Sequence, residues 1–234
     1  MKIACIGDSL TEGRPGVSFF KLLTTRHPHI EFDNLGKPGE TVKSLHSRLE
    51  KSKLATYYDL SFLWIGVNDV YAKLLKVQAQ PVTKDHQEFK DYYVNCLEMI
   101  LASSKHVVLV TPALIGETIK NTSNKELKEL SSIIQSISSK YANVSFLNMQ
   151  EVFEHHLEQA NSSDYMNTNV MRVMQDVLFY KNPLRIDRLS KKRGLHLTLD
   201  GVHLNSKGAE LVVEKYTDVI EQLQLQEATV HSEG

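Results

Sequence analysis

The sequence predicts an α/β domain built on a parallel sheet with helices on both faces. Short apolar runs of strand length alternate with longer segments whose apolar residues recur every three to four positions. The short runs are dense rather than alternating, as expected of strands covered on both faces. The chain of 234 residues, 41% hydrophobic and 24% charged, is ample for one self-sufficient core, so residues 1–234 are read as a single domain.

The elements follow in order. Lys2 to Ile6 is a short apolar strand ending at Gly7. Val17 to Thr25 carries Phe19, Phe20, Leu22 and Leu23 at near-helical spacing, with Pro28 just beyond. Ile30 to Leu35 is a second strand, closed by Gly36, Pro38 and Gly39. Thr41 to Leu49 puts Val42, Leu45 and Leu49 on one helical face. Asp59 to Ile65 is a dense strand ended by Gly66, and Asp85 to Ser103 is a helix marked by Phe89, Tyr93, Leu97 and Ile100. His106 to Val110 is a strand stopped by Thr111-Pro112, and Asn124 to Tyr141 is an amphipathic helix. Val144 to Leu147 is a strand and Met149 to Gln159 a helix. Ser206 caps a last helix running into Gln222, and residues 227–234 read as a polar tail.

Composition excludes several classes. Twenty-seven basic and 28 acidic residues give a formal charge of -1, which offers no electrostatic footprint for nucleic acid or an anionic membrane. The two cysteines, Cys5 and Cys96, sit in apolar surroundings without metal-ligand spacing and read as reduced core residues. The N-terminal apolar stretch is too short for a signal-peptide core or a membrane span. A cytoplasmic protein with no integral membrane segment is expected.

In such a sheet, chemistry belongs at the carboxyl ends of the strands. Four short blocks fall there. Gly7-Asp8-Ser9-Leu10 follows the first strand, where a serine can be lifted out of the turn with its N–H free. Asn34-Leu35-Gly36-Lys37-Pro38-Gly39-Glu40-Thr41 follows the second, where the Gly39 N–H can face a developing oxyanion unobstructed. Gly66-Val67-Asn68-Asp69 follows the third and offers the Asn68 amide as a further donor. Asp200-Gly201-Val202-His203 precedes the last helix, with the aspartate spaced to hold one ring nitrogen while the other takes a proton. Taken singly, each block has a plain structural reading: a helix cap or turn, a β-to-α turn, an Asx turn, and a surface loop with one of ten histidines. Together they supply nucleophile, base, orienting carboxylate and three oxyanion donors, the parts that acyl transfer needs.

With these residues in this order, the chain resembles the GDSL, or SGNH, hydrolase family, whose blocks are marked by Ser, Gly, Asn and His. The matching blocks span nearly the whole chain. The resemblance implies a flavodoxin-like three-layer α/β/α sandwich. It implies Ser9 as nucleophile, with its own N–H, the Gly39 N–H and the Asn68 amide as oxyanion hole, His203 as base and Asp200 as its partner. It implies hydrolysis of a small-molecule ester with neither cofactor nor metal. Family activities include esterase, thioesterase, lysophospholipase and carbohydrate deacetylase, and the catalytic parts do not choose among them. His196 competes for the base role but lacks an acidic residue at the Asp-x-x-His spacing. His155 and His156 are expected on a solvated helix face.

Residues 161–199 break the alternation. Val170, Val173, Met174, Val177 and Leu178 mark an amphipathic helix ended by Asn182-Pro183, and the basic run Arg185, Arg188, Lys191, Lys192 and Arg193 follows. One reading is a cap over the ester site with the basic run meeting an anionic substrate. Another is a packed excursion with a solvated basic loop, and a third is a homo-oligomer contact. The rival of a different class is a non-catalytic ligand-binding module of the same fold, which would not need all four blocks at once.

Overall fold

The computed structural model describes residues 1–75, 80–169 and 182–232. Five parallel strands lie in the order β2-β1-β3-β4-β5: β1 (Lys2–Gly7), β2 (Glu31–Gly36), β3 (Tyr58–Trp64), β4 (Ser104–Val110) and β5 (Val144–Leu147). Between and after them run α1 (Ser9–Glu12), α2 (Phe19–Arg26), α3 (Val42–Lys51), α4 (Val67–Tyr71), α5 (His86–Leu101), α6 (Thr122–Ser138), α7 (Met149–Leu157), α8 (Pro183–Lys192) and α9 (Ser206–Ser232). The central strands are apolar because both of their faces are covered. Ile3 to Ile6, Leu60, Phe62 to Trp64 and Val107 to Val110 are all buried. The edge strand β2 is only partly buried and carries Glu31 and Asp33, which ion-pair with Lys2 of β1.

Helices α3, α5 and α6 pack on one another over one face, while α2, α7 and α9 pack together on the other. Tyr216 of α9 fastens the second layer: it stacks on Phe62 of β3 at 3.9 Å, and Phe19 of α2 packs edge-on against both Tyr216 and Trp64. The expected three-layer α/β/α sandwich is what forms.

Register places the strand ends level. Gly7 pairs with Gly36 and with Trp64, Trp64 with Val110, and Val110 with Leu147. The strand order reverses at β1, where β2 lies to one side and β3 to the other, so the loops after β1 and β3 open at a topological switch point.

Several boundaries differ from the sequence reading. Two loops expected to be irregular begin as short helices, α1 at Ser9 and α4 at Val67. The basic residues Arg185, Arg188, Lys191 and Lys192 lie on α8 rather than in a loop. Asn182 and Pro183 open that helix: the Asn182 side chain accepts the Leu184 N–H and Pro183 takes the first turn, where its missing donor costs nothing. The last helix continues through Ser232 where a polar tail was expected. The amphipathic stretch from Val170 to Leu178 falls outside the described residues.

Candidate active site

The site is assembled from loops leaving that level row of strand ends. After Gly7 the chain turns through Asp8, whose carboxylate accepts the Leu10 N–H at 2.9 Å and caps α1. Ser9 is the first residue of this single-turn helix, and the Gly13 N–H returns to the Ser9 carbonyl. Ser9 thus stands at a helix start, where main-chain N–H groups lack intrahelical partners. Among the described residues the N–H groups of Ser9 and Gly39 have no acceptor.

Gly39 adopts φ +73°, in the left-handed region. A Cβ built there would meet nothing within 4 Å. The glycine is therefore required by backbone conformation rather than by space, a more specific reason than the absence of an obstructing side chain.

From the far end of the chain, Thr198 and Leu204 form an antiparallel bridge that closes a tight hairpin around Asp200-Gly201-Val202-His203. Asp200 Oδ1 accepts the main-chain N–H of Val202 and of His203, at 3.1 and 2.9 Å. Its Oδ2 lies 2.8 Å from His203 Nδ1, and His203 Nε2 lies 3.0 Å from Ser9 Oγ. Residues 194 positions apart in sequence meet in this line. Burial alone would raise the Asp200 carboxyl. The neighbouring His203 imidazole and the hydrogen bonds from His203 and Val202 outweigh it and hold the group below its ordinary value. His196, the competing histidine, is exposed and contributes a main-chain N–H to Glu117. His155 is exposed and His156 half-buried, both on α7.

Asn68, on the first turn of α4, donates its amide to Asp8 Oδ2 at 3.1 Å and to the Glu40 carbonyl at 3.0 Å. Both amide hydrogens have acceptors. Asn68 therefore ties the loops after β1, β2 and β3 together. Behind it lies a buried acidic group. Burial raises Asp8 to about 7 and Asp69 to about 7, while Glu40 is held by a bidentate pair with Arg48 at 2.7 and 2.6 Å. Asp69 Oδ2 accepts the Val42 N–H at the start of α3, and its Oδ1 has no partner among the described residues.

Sequence reasoning missed three contributors. Asp8 was quoted only as part of a turn, yet it holds Asn68. Tyr71 of α4 donates to the Asn167 carbonyl, and the Asn167 N–H donates to the Asp200 carbonyl at 2.9 Å. Glu117, after β4, accepts hydrogen bonds from residues 196–198. Cys5 and Cys96 are free and buried, as expected. Among the described residues no group of His, Cys, Asp or Glu is placed to hold a metal ion. No helix among them is long and apolar enough to cross a membrane.

Comparison with known proteins agrees with this architecture. Solved structures similar to this one include the acetyl xylan esterase AlAXEase (21% identity, TM-score 0.66, covering 94% of this chain and 100% of that one). Another is the acetylxylan esterase Axe2 of Geobacillus stearothermophilus, in a mutant form (20% identity, TM-score 0.65, 92% and 91% covered). A third is a member of the lipolytic protein G-D-S-L family from Veillonella parvula (16% identity, TM-score 0.62, 94% and 97% covered). A search of curated proteins finds no match. The family model for GDSL-like Lipase/Acylhydrolase matches residues 3–216, so the chain belongs to that family and is a carboxylic ester hydrolase.

Proposed function

We propose that this protein cleaves carboxylic esters through an acyl-serine intermediate on Ser9. The observation that carries this reading is the unbroken line Asp200 Oδ2–His203 Nδ1–His203 Nε2–Ser9 Oγ, with separations of 2.8 and 3.0 Å. The Asp200 carboxylate fixes the tautomer in which Nδ1 carries the proton and Nε2 is free to accept one. Ser9 Oγ attacks the ester carbonyl as His203 takes its proton. Charge collects on the carbonyl oxygen, where the N–H groups of Ser9 and Gly39 and the Asn68 amide are available to it. His203 returns the proton to the departing alcohol, and water repeats the sequence on the acyl-enzyme.

The acyl group we favour is acetyl on a carbohydrate. Two of the similar structures are acetyl xylan esterases that match over nearly their whole length. Mutants of the Geobacillus enzyme called catalytic replace a serine, an aspartate and a histidine, the same three residue types that meet here. The two free, buried cysteines favour a reducing compartment such as the cytoplasm. A homo-oligomer is compatible with this reading.

Hydrolysis of a panel running from acetyl to long-chain esters, beside acetylated xylo-oligosaccharides, tests the proposal. Acetyl esters should be preferred. The Ser9→Ala variant should lose roughly 10⁴–10⁶-fold in kcat while remaining folded. A folded Ser9→Ala variant with wild-type turnover would refute the role of Ser9, and preference for long chains would refute the deacetylase reading alone.

A further inference from the structure

The hairpin that carries Asp200 and His203 has little regular secondary structure of its own, yet its approach is buried: Leu197, Thr198 and Leu199 are all in the core. Main-chain N–H groups in such a stretch need acceptors. The Leu199 N–H donates to the His203 carbonyl at 2.6 Å, and one side chain provides acceptors for the residues before it. Glu117 Oε1 accepts the N–H of Leu197, the N–H of Thr198 and the Thr198 hydroxyl, each at 2.8 Å. Its Oε2 accepts the His196 N–H at 2.7 Å and the Ser162 hydroxyl at 3.1 Å. Five donors converge on one buried carboxylate, which forms no ion pair among the described residues. Only an acceptor-only group with two equivalent oxygens can satisfy such a set.

Glu117 is itself held firmly. It lies in the turn between β4 and α6, and the first turn of α6 grips that turn from below. Asn124 accepts the Ile115 N–H at 2.9 Å and donates to the carbonyls of Gly116 and Thr118, while Asn121 donates to the Ile115 carbonyl at 2.7 Å. Two further links run on to the reacting groups. The Thr198 hydroxyl, which donates to Glu117, accepts the Gly201 N–H at 3.2 Å, and the Gly116 N–H donates to the Gly201 carbonyl at 2.6 Å. Gly201, between Asp200 and Val202, sits at φ +96°, a left-handed conformation that strains any side chain, and a Cβ there would meet the Tyr165 carbonyl oxygen and Met166 Cα at 3.0 and 3.2 Å, tighter than ordinary contact.

Resting on the roles of Ser9, His203 and Asp200 given above, we propose that Glu117 is a positioning residue for the reaction. It clamps residues 196–198 to the β4–α6 turn and so keeps the Asp200–His203 hairpin in register with Ser9. It touches neither substrate nor the reacting atoms. Its effect is on how often Nε2 stands at hydrogen-bond distance from Oγ, a geometry to which rate is steeply sensitive.

The test is Glu117→Gln, which keeps the size but turns an N–H₂ toward two or three donors. In folded protein counted by active-site titration, kcat should fall between about ten- and a hundredfold with KM within about threefold. A core variant on α6, Leu127→Ala, with a comparable fall in Tm should keep wild-type kcat well below its Tm, because it loses stability without releasing the hairpin. Unchanged kcat in Glu117→Gln, whatever happens to KM, overturns the proposal. So does an equal kcat loss in Leu127→Ala. If Glu117→Gln does not fold, Thr198→Val carries the test: it deletes the hydroxyl relay from Glu117 to Gly201 and should lower kcat several-fold, and unchanged kcat there overturns the proposal. The underlying reading fails separately, by a folded His203→Ala variant that retains full activity.

Discussion

Asp8, next to Ser9 in sequence, and Asp200, which reaches Ser9 through His203, are equally buried, each 1% exposed, but they hold their protons differently. Asp200 receives two main-chain N–H groups and faces an imidazole, and its carboxyl is held below the ordinary value. Asp8 receives one main-chain N–H and one neutral amide and has Glu40 nearby, and burial pushes it up to about 7. Depth is the same in both places, so the partner sets the charge. The hairpin side of the site is built to keep a carboxylate ionised beside a histidine. On the side built from the loops after β1 to β3, burial raises the carboxyls of Asp8 and Asp69 behind an amide.

That contrast can be broken in order of effect. Asp200→Asn removes the ionised partner and lets the imidazole choose the wrong tautomer, and kcat should fall about 10⁴-fold. A loss below tenfold in steady-state hydrolysis would mean that the hairpin carboxylate is not needed ionised. Asn68→Ala on the other side should cost about 10²–10³ in kcat. It also strips Asp8 of its amide donor, so Asp8 should then bind its proton more tightly, and the variant's pH–activity curve should differ in shape from the wild type's. An identical curve would show that Asp8 and Asn68 are not linked in solution.

The smallest effect is on stability. Asp200 has a lowered value in the fold, so its contribution is present above the unfolded value near 4 and is lost as pH falls through the folded one. Asp8 and Asp69 have raised values, about 7 against an ordinary 3.8. Between those limits the folded protein binds more protons than the unfolded chain, so their contribution is full below about pH 4 and is lost as pH rises toward 7. Asp69→Asn keeps an acceptor for the Val42 N–H and removes one of these buried charges. Thermal melts should show a flatter decline of Tm from pH 5 to pH 8 than in the wild type, with Tm at pH 8 higher by roughly 2–4 °C for each kcal/mol relieved. Parallel Tm profiles would place the titration elsewhere.

The same division explains what was legible in the sequence. The strands and a parallel sheet covered on both faces follow from dense apolar runs such as Leu60 to Trp64 alternating with helical segments, and side-chain chemistry at the ends of those runs marked Ser9, Asn68, Asp200 and His203 as positions; the order and level ends of the strands are set by pairing that no single run reveals. Contacts made to main-chain groups left no trace. Nothing in the residues around Glu117 announces that three consecutive N–H groups nearly eighty positions later will need it. Nor does the Asn68 side chain reveal that its hydrogens are already shared between Asp8 and the Glu40 carbonyl. The start of α8 at Asn182-Pro183 was not legible because Asn-Pro is compatible with either end of a helix, and it takes the Asn182 cap on the Leu184 N–H to show that a helix begins there.

The central claim is that the Ser9 hydroxyl is activated by the histidine arriving from the far end of the chain. Brief exposure to a fluorophosphonate followed by peptide mass mapping tests it most directly. The account predicts one adduct, on Ser9, formed in the wild type and largely suppressed in folded His203→Ala. An adduct on another residue, or equal labelling of Ser9 in both proteins, would contradict it.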